Sequence, residues 1–133
     1  MSGTVAVVAD DLIWASRLME SVTRAGGTPV RMSTQAQLDT ALEADALAEL
    51  GSEDADRAVV GVIVDMLGRR FDPVAAVVRA KAAKKPVIAV AQHDDVLTRK
   101  RALSAGASRV FSYNKFFTDG PRLVEGWLNR GGS

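Results

Sequence analysis

Two adjacent carboxylates, Asp10 and Asp11, follow the apolar run TVAVVA at residues 4–9, and a third, Asp65, ends the run AVVGVIV at 58–64. Like charges repel, so acids placed together need a reason. If the two run ends lie side by side, three carboxylates share one shallow pocket, and each raises the pKa of the others unless a cation intervenes. A hard divalent ion suits such a site. Mg2+ prefers oxygen ligands, keeps several waters, and takes one or two carboxylates plus a phosphate oxygen. Asp65, opposite the pair, would then be placed to receive a phosphoryl group. The plainer alternative is that the pair caps the following helix, where acids are favoured by the dipole. One Asp would suffice for that.

The elements that must position these acids alternate regularly. Short β-rich apolar runs are each followed by a helical pattern. Residues 4–9 are continuously apolar, as a strand covered on both faces should be. Leu12, Trp14, Leu18, Met19 and Val22 lie at helical spacing, and Gly26-Gly27 stop that helix. Thr28 to Met32 reads as a second strand. Ser33 offers an N-cap for a helix through QAQLDTALEADALAEL, closed by Gly51, and the acidic stretch GSEDADR reads as a solvated loop. Ala58 to Val64 is a third strand ending in Asp65, and the loop MLGRRFD leads through Pro73 into a helix over 73–83. Pro86 opens a fourth strand, PVIAVA. Asp94 or Asp95 caps a helix ending near Gly106, Arg109 to Tyr113 forms a fifth strand, and a last helix runs from about Pro121 to Leu128.

Five β-then-α units with short connections predict an α/β fold. The expected form is a flavodoxin-like, doubly wound parallel sheet with strand order 2-1-3-4-5, residues 1–133 making one domain. Ligands of such sheets sit outside the carboxyl ends of the strands. There the sequence places Asp10-Asp11, Asp65, Ala91, and the stretch from Ser112 to Lys115.

The chain resembles the receiver domains of bacterial response regulators over nearly its whole length. The resemblance rests on the opening VVADD, the gap from there to Gly27, GVIVD ending at Asp65, PVIAVA, and ALSAGAS before the fifth strand. It implies a single-domain signalling protein, not a metabolic enzyme. Asp65 would be the phosphoacceptor, with Mg2+ held by Asp10, Asp11, Asp65 and the backbone carbonyl of Leu67. A histidine kinase or phosphotransfer protein would supply the phosphate, and catalysis of the transfer would rest on positioning and metal neutralisation of charge.

Departures from the family pattern concentrate on phosphate sensing. Family members usually carry Thr or Ser at the end of strand four, where this chain has Ala91; a methyl group cannot bond a phosphoryl oxygen. Gln92 stands where a very small residue is usual, and His93 follows where members vary; Ala91, Gln92 and His93 are the expected pocket rim. The usual Lys after strand five falls on Tyr113, with Asn114 next in place of the family's cis-proline. Lys115 is therefore the candidate for a displaced lysine, on a flexible stem. Gly68-Arg69-Arg70 replaces the usual turn after the acceptor. The metal-and-acceptor half of the pattern is intact and the sensing half altered, as in atypical or pseudo-receivers. The alternative function is a phosphorylation-independent interaction module.

Composition narrows the remaining classes. The chain has no Cys and a single His, so thiolate metal sites and hydrolytic dyads have little material. No GxGxxG or GxxxxGK[ST] loop is present, and Asp65-Met66-Leu67 lacks the second Asp of strand-end phosphatases. Neither a signal peptide nor a spanning segment is evident, so a cytoplasmic location and no membrane contact are expected. Residues 1–66 carry 4 basic against 11 acidic residues, and residues 67–133 carry 13 against 5. The basic half has no aromatic interleaving and no DNA-reading motif, so opposite surfaces of opposite charge are expected and no direct nucleic-acid binding. A downstream partner would meet helix 94–105, with Arg99-Lys100-Arg101, and the strand-five face from Val110 to Phe116. Homodimerisation is a further option. Exposed aromatics there would favour an interface.

Overall fold

Three of the five strands of this chain are short, almost wholly apolar runs with both faces covered, and two more polar strands flank them. In the computed structural model, which describes residues 3–51 and 58–130 (backbone only at 47–51), the strands are β1 (Thr4–Val8), β2 (Thr28–Met32), β3 (Val59–Asp65), β4 (Val87–Ala91) and β5 (Arg109–Ser112). All neighbours are parallel, in the order β2-β1-β3-β4-β5. The helices are α1 (Leu12–Arg24), α2 (Gln35–Gly51), α3 (Pro73–Ala82), α4 (Val96–Ala105) and α5 (Tyr113–Asn129). The expected flavodoxin-like architecture and strand order are therefore observed. The acidic stretch expected as a loop lies, after Gly51, outside the described residues.

Alternation along the strands divides the core into two layers. Ala6, Val8, Val62, Val64, Val87, Ala89 and Ala91 pack with Leu38 and Leu42 of α2, Ala76, Val77 and Ala80 of α3, and Ala102 of α4. Val5, Val7, Ile63, Ile88 and Val90 face the other way, onto Leu18 and Val22 of α1 and Phe116, Val124 and Trp127 of α5. A period of two places successive side chains on opposite faces, so continuous apolar runs are what a doubly covered sheet requires. Aromatics are scarce, and the one fully buried Trp needs room: a Cβ on Gly61 would lie 2.3 Å from the Trp127 ring.

Four of the helices start on an acid or hydroxyl cap. Asp11 caps α1, Asp72 caps α3 ahead of Pro73, Asp95 caps α4 and Ser112 caps α5. Gly106 ends α4 with φ of 121°, a left-handed geometry that favours glycine. Away from the carboxyl edge, Asp45 is buried, accepting from the Val59 N–H at 2.7 Å and pairing with Lys85 at 3.2 Å, which ties α2 to the starts of β3 and β4.

One element differs from expectation. The last helix starts at Tyr113 rather than near Pro121, so β5 stops at Ser112 and Tyr113 belongs to α5. Ser112 Oγ accepts from the Lys115 N–H at 3.0 Å and fixes that start. Pro121 lies inside the helix, with Tyr113, Phe116, Gly120, Val124 and Trp127 forming its continuous buried stripe. Packing along that stripe outweighs the interruption a proline normally brings.

The Gly61–Trp127 contact yields a direct check of the packing. Gly61→Ala is expected to cost about 1–3 kcal/mol, the usual range for overpacking a filled core, measured by urea unfolding.

Candidate functional site

The carboxyl edge of the sheet brings the ends of β1, β3 and β4 together. β3 lies between β1 and β4, with Val8 beside Val64 and Asp65 beside Val90. Asp65 is thus the last residue of the central strand, and its side chain is 1% exposed. Its Oδ1 accepts from the Leu67 N–H at 3.0 Å and also from the Tyr113 hydroxyl. The Tyr113 ring is itself buried and stacks, tilted by 47°, on Trp14 of α1 with centroids 4.4 Å apart. Burial raises the Asp65 pKa above the ordinary carboxylate value, opposed by the Tyr113 and Leu67 bonds and reinforced by the charges of Asp10 and Asp11. Burial, followed by Asp65, drives the Tyr113 phenol far above its usual range, so it stays protonated as a donor.

The acidic pair is divided between two structural tasks. Asp11 Oδ1 accepts from the Ile13 and Trp14 N–H groups at 2.9 and 3.1 Å, as a helix cap does. Asp10 Oδ2 accepts from the Arg69 and Arg70 N–H groups at 2.7 and 2.5 Å and so clamps the β3–α3 loop to the end of β1. Slight burial raises the Asp10 pKa, but the two N–H bonds and the Arg70 charge outweigh it and leave the group below its ordinary value. Arg31 reinforces the same edge, donating to the carbonyls of Ala9 and Asp10 at 3.3 and 3.4 Å.

The resemblance assigns a divalent cation to Asp10, Asp11, Asp65 and the Leu67 carbonyl. Among the described residues no three His, Cys, Asp or Glu side chains converge as a group able to hold one. One oxygen of each of the Asp10, Asp11 and Asp65 carboxylates accepts protein N–H or O–H donors, the Leu67 N–H among those on Asp65.

The other expected site residues separate. Ala91 is buried in the layer that faces α2, α3 and α4, whereas Tyr113 belongs to the layer facing α1 and α5. Gln92 and His93 are exposed. His93 lines an open groove with Ser112, Asn114, Lys115, Thr118 and Asp119. Lys115, the expected displaced lysine, pairs through its Nζ with Asp119 at 2.9 Å, one helical turn on, on the exposed side of α5. Because α5 begins at Tyr113, position 115 is carried round the first helical turn, which explains that orientation.

Against solved structures, the chain superposes on the response regulator receiver domain of Rhodospirillum rubrum with a TM-score of 0.71. That match has 18% identity and covers 95% of this chain and 94% of the other. A response regulator in red light signalling of R. palustris gives 0.72 at 19% identity, covering 94% and 91%. The receiver domain of the TMAO respiratory system response regulator TorR gives 0.71 at 17%, covering 96% and 98%. No family model matches the sequence, and no curated protein does. The chain has the receiver fold. On that fold, Tyr113 stands where the resemblance places a lysine, and it supplies a neutral donor to the strand-end acid in place of an ammonium. Counting positions along the sequence marks Tyr113 only as a missing Lys and overlooks it as a donor. The signal is present, since Tyr113 and Phe116 begin the three-and-four spacing of buried residues that runs along α5.

The sign of the Asp65 shift sets a stability test. A carboxyl whose folded pKa lies above its unfolded value destabilises the fold while ionised, and that penalty fades as pH falls through the folded pKa. Both bonds to Asp65 end on Oδ1, which an Asn retains. Asp65→Asn is expected to match or exceed the original stability at pH 7, the difference closing in acid. Asp65→Ala strands both donors and should cost about 1–3 kcal/mol. Denaturant unfolding of both variants at pH 7 and pH 4 checks this.

Proposed function

We propose that this chain is a receiver-fold protein-interaction module that works without phosphorylation of Asp65. The observation that carries the reading is the Tyr113 hydroxyl bonded to a strand-end acid that is 1% exposed. Phosphoryl transfer needs the acceptor oxygen presented to an incoming donor and the developing charge neutralised. Here the acceptor is covered, the neighbouring acids serve as a cap and a loop clamp, and Ala91 offers no hydroxyl. Mg2+-dependent acceptance from a histidine kinase or phosphotransfer protein would require Tyr113 to leave Asp65.

The contact surface we favour is α4. Only Ala102 of this helix is buried, while Val96, Leu97 and Leu103 are 58%, 59% and 52% exposed. Lys100 and Arg101 are exposed beside them, and Arg99 reaches the Val110 carbonyl at 3.4 Å. Apolar anchors flanked by cations suit a partner with an acidic rim. The strand-five side contributes less, because Tyr113 and Phe116 are buried and Phe111 and Val110 are partly covered by the core. Phe117 is 57% exposed, but Arg17 of α1 stacks on it at 4.1 Å, so it belongs to the α1 side.

Amide NMR with Mg2+ and beryllofluoride, a mimic of the aspartyl phosphate, tests this reading. The expected outcome is no beryllofluoride-dependent shift at Asp65 or in α4. Shifts at Asp65 that spread into α4 would overturn it in favour of a working phosphate switch.

A further inference from the structure

We propose that Tyr113 is a plug over Asp65 and that Trp14 is the post that holds the plug shut. This deepens the preceding reading, resting on its premise that the Asp65 pocket is closed, and it assigns the closure to two side chains.

Three contacts in series carry the inference. The Asp11 carboxylate fixes the backbone of Trp14 at the first turn of α1. The Trp14 ring lies 4.4 Å from the Tyr113 ring. The Tyr113 hydroxyl ends on Asp65. Tyr113 is held from behind as well, since it opens α5 directly after the Ser112 cap and its ring lies in the layer built by α1 and α5. Trp14, in contrast, is only half-buried. It also lines a groove of about 210 Å3 between α1 and α5, with Leu18, Phe116, Phe117 and Pro121. The plug therefore has one movable support. With Trp14 removed, the Tyr113 ring loses the contact that keeps it over Asp65, and the α1–α5 layer loses one partly buried side chain at its edge, while the layer facing α2, α3 and α4 keeps its packing.

Carbodiimide labelling of carboxyl groups with a glycine ester, read residue by residue by mass spectrometry on the whole chain, tests the assignment without a metal or phosphodonor. Exposed Asp94 serves as the reactive reference and buried Asp45, in another part of the fold, as the monitor of global opening. Asp65 should label far more slowly than Asp94 in the original chain. Tyr113→Phe, which removes the hydroxyl and keeps the ring, should raise Asp65 labelling about fivefold, the effect of one lost hydrogen bond. Trp14→Ala should raise it by at least as much, with Asp45 unchanged in both variants. Increased labelling in Tyr113→Phe but not in Trp14→Ala would overturn the role of Trp14. An unchanged Asp65 in both variants, or Asp45 rising in step with it, would overturn the plug. Phosphorylation of the original chain by acetyl phosphate would instead overturn the phosphorylation-independent reading, so the two failures are distinguishable.

Discussion

A carboxylate at the end of the central strand, all but removed from water, is the constraint around which this carboxyl edge is organised. An isolated buried charge is costly unless it is hydrogen-bonded or neutralised. Receiver domains, by the resemblance, meet that cost with a metal ion and a lysine. This chain meets it with a phenol and a backbone N–H, both directed at one oxygen of Asp65. A neutral donor satisfies the oxygen without supplying the charge a phosphoryl group would need. On the proposed reading, the choice of partner at a single position alters what the pocket can do while leaving the fold intact.

The neighbouring acids obey the same logic. Asp11 and Asp10 satisfy N–H groups at the start of α1 and in the β3–α3 loop, which otherwise lack helical or sheet partners. Engaged in this way, they tie the start of α1 and the β3–α3 loop to the end of β1. Arg31 adds to that tie by bonding the carbonyls at the end of β1. The basic second half of the chain, meanwhile, leaves α4 with exposed cations and apolar side chains that the fold itself does not use.

The sheet is legible in the sequence because both of its faces are covered, so β1, β3 and β4 each appear as an uninterrupted apolar run that stops at a polar residue. Asp65 at one strand end and Asp10-Asp11 at another can be read for the same reason. The start of α5 cannot, because Asp119-Gly120-Pro121 has the composition of a helix boundary, and only the buried spacing from Tyr113 to Trp127 reveals a helix running through it. The pairing of Lys115 with Asp119, one helical turn on, follows from that earlier start. The direction of each carboxylate lies beyond the sequence. Whether an acid at a strand end binds a cation or caps a helix depends on ångström-scale placement of loop N–H groups, which residue types do not encode. Tyr113 is hidden differently, because comparison with a family pattern marks the residue that is missing and not the chemistry of its replacement.

The hydroxyl proton of Tyr113 reports on the central interaction most directly. In a buried hydrogen bond to a carboxylate it is sheltered from exchange with water and gives its own proton NMR resonance. One slowly exchanging hydroxyl resonance is expected, assigned by its loss in Tyr113→Phe, with nuclear Overhauser contacts to the Leu67 amide and to the Trp14 ring. A Tyr113 hydroxyl in fast exchange with solvent and lacking those contacts would mean that Asp65 is open, and that the pocket is not closed by a phenol at all.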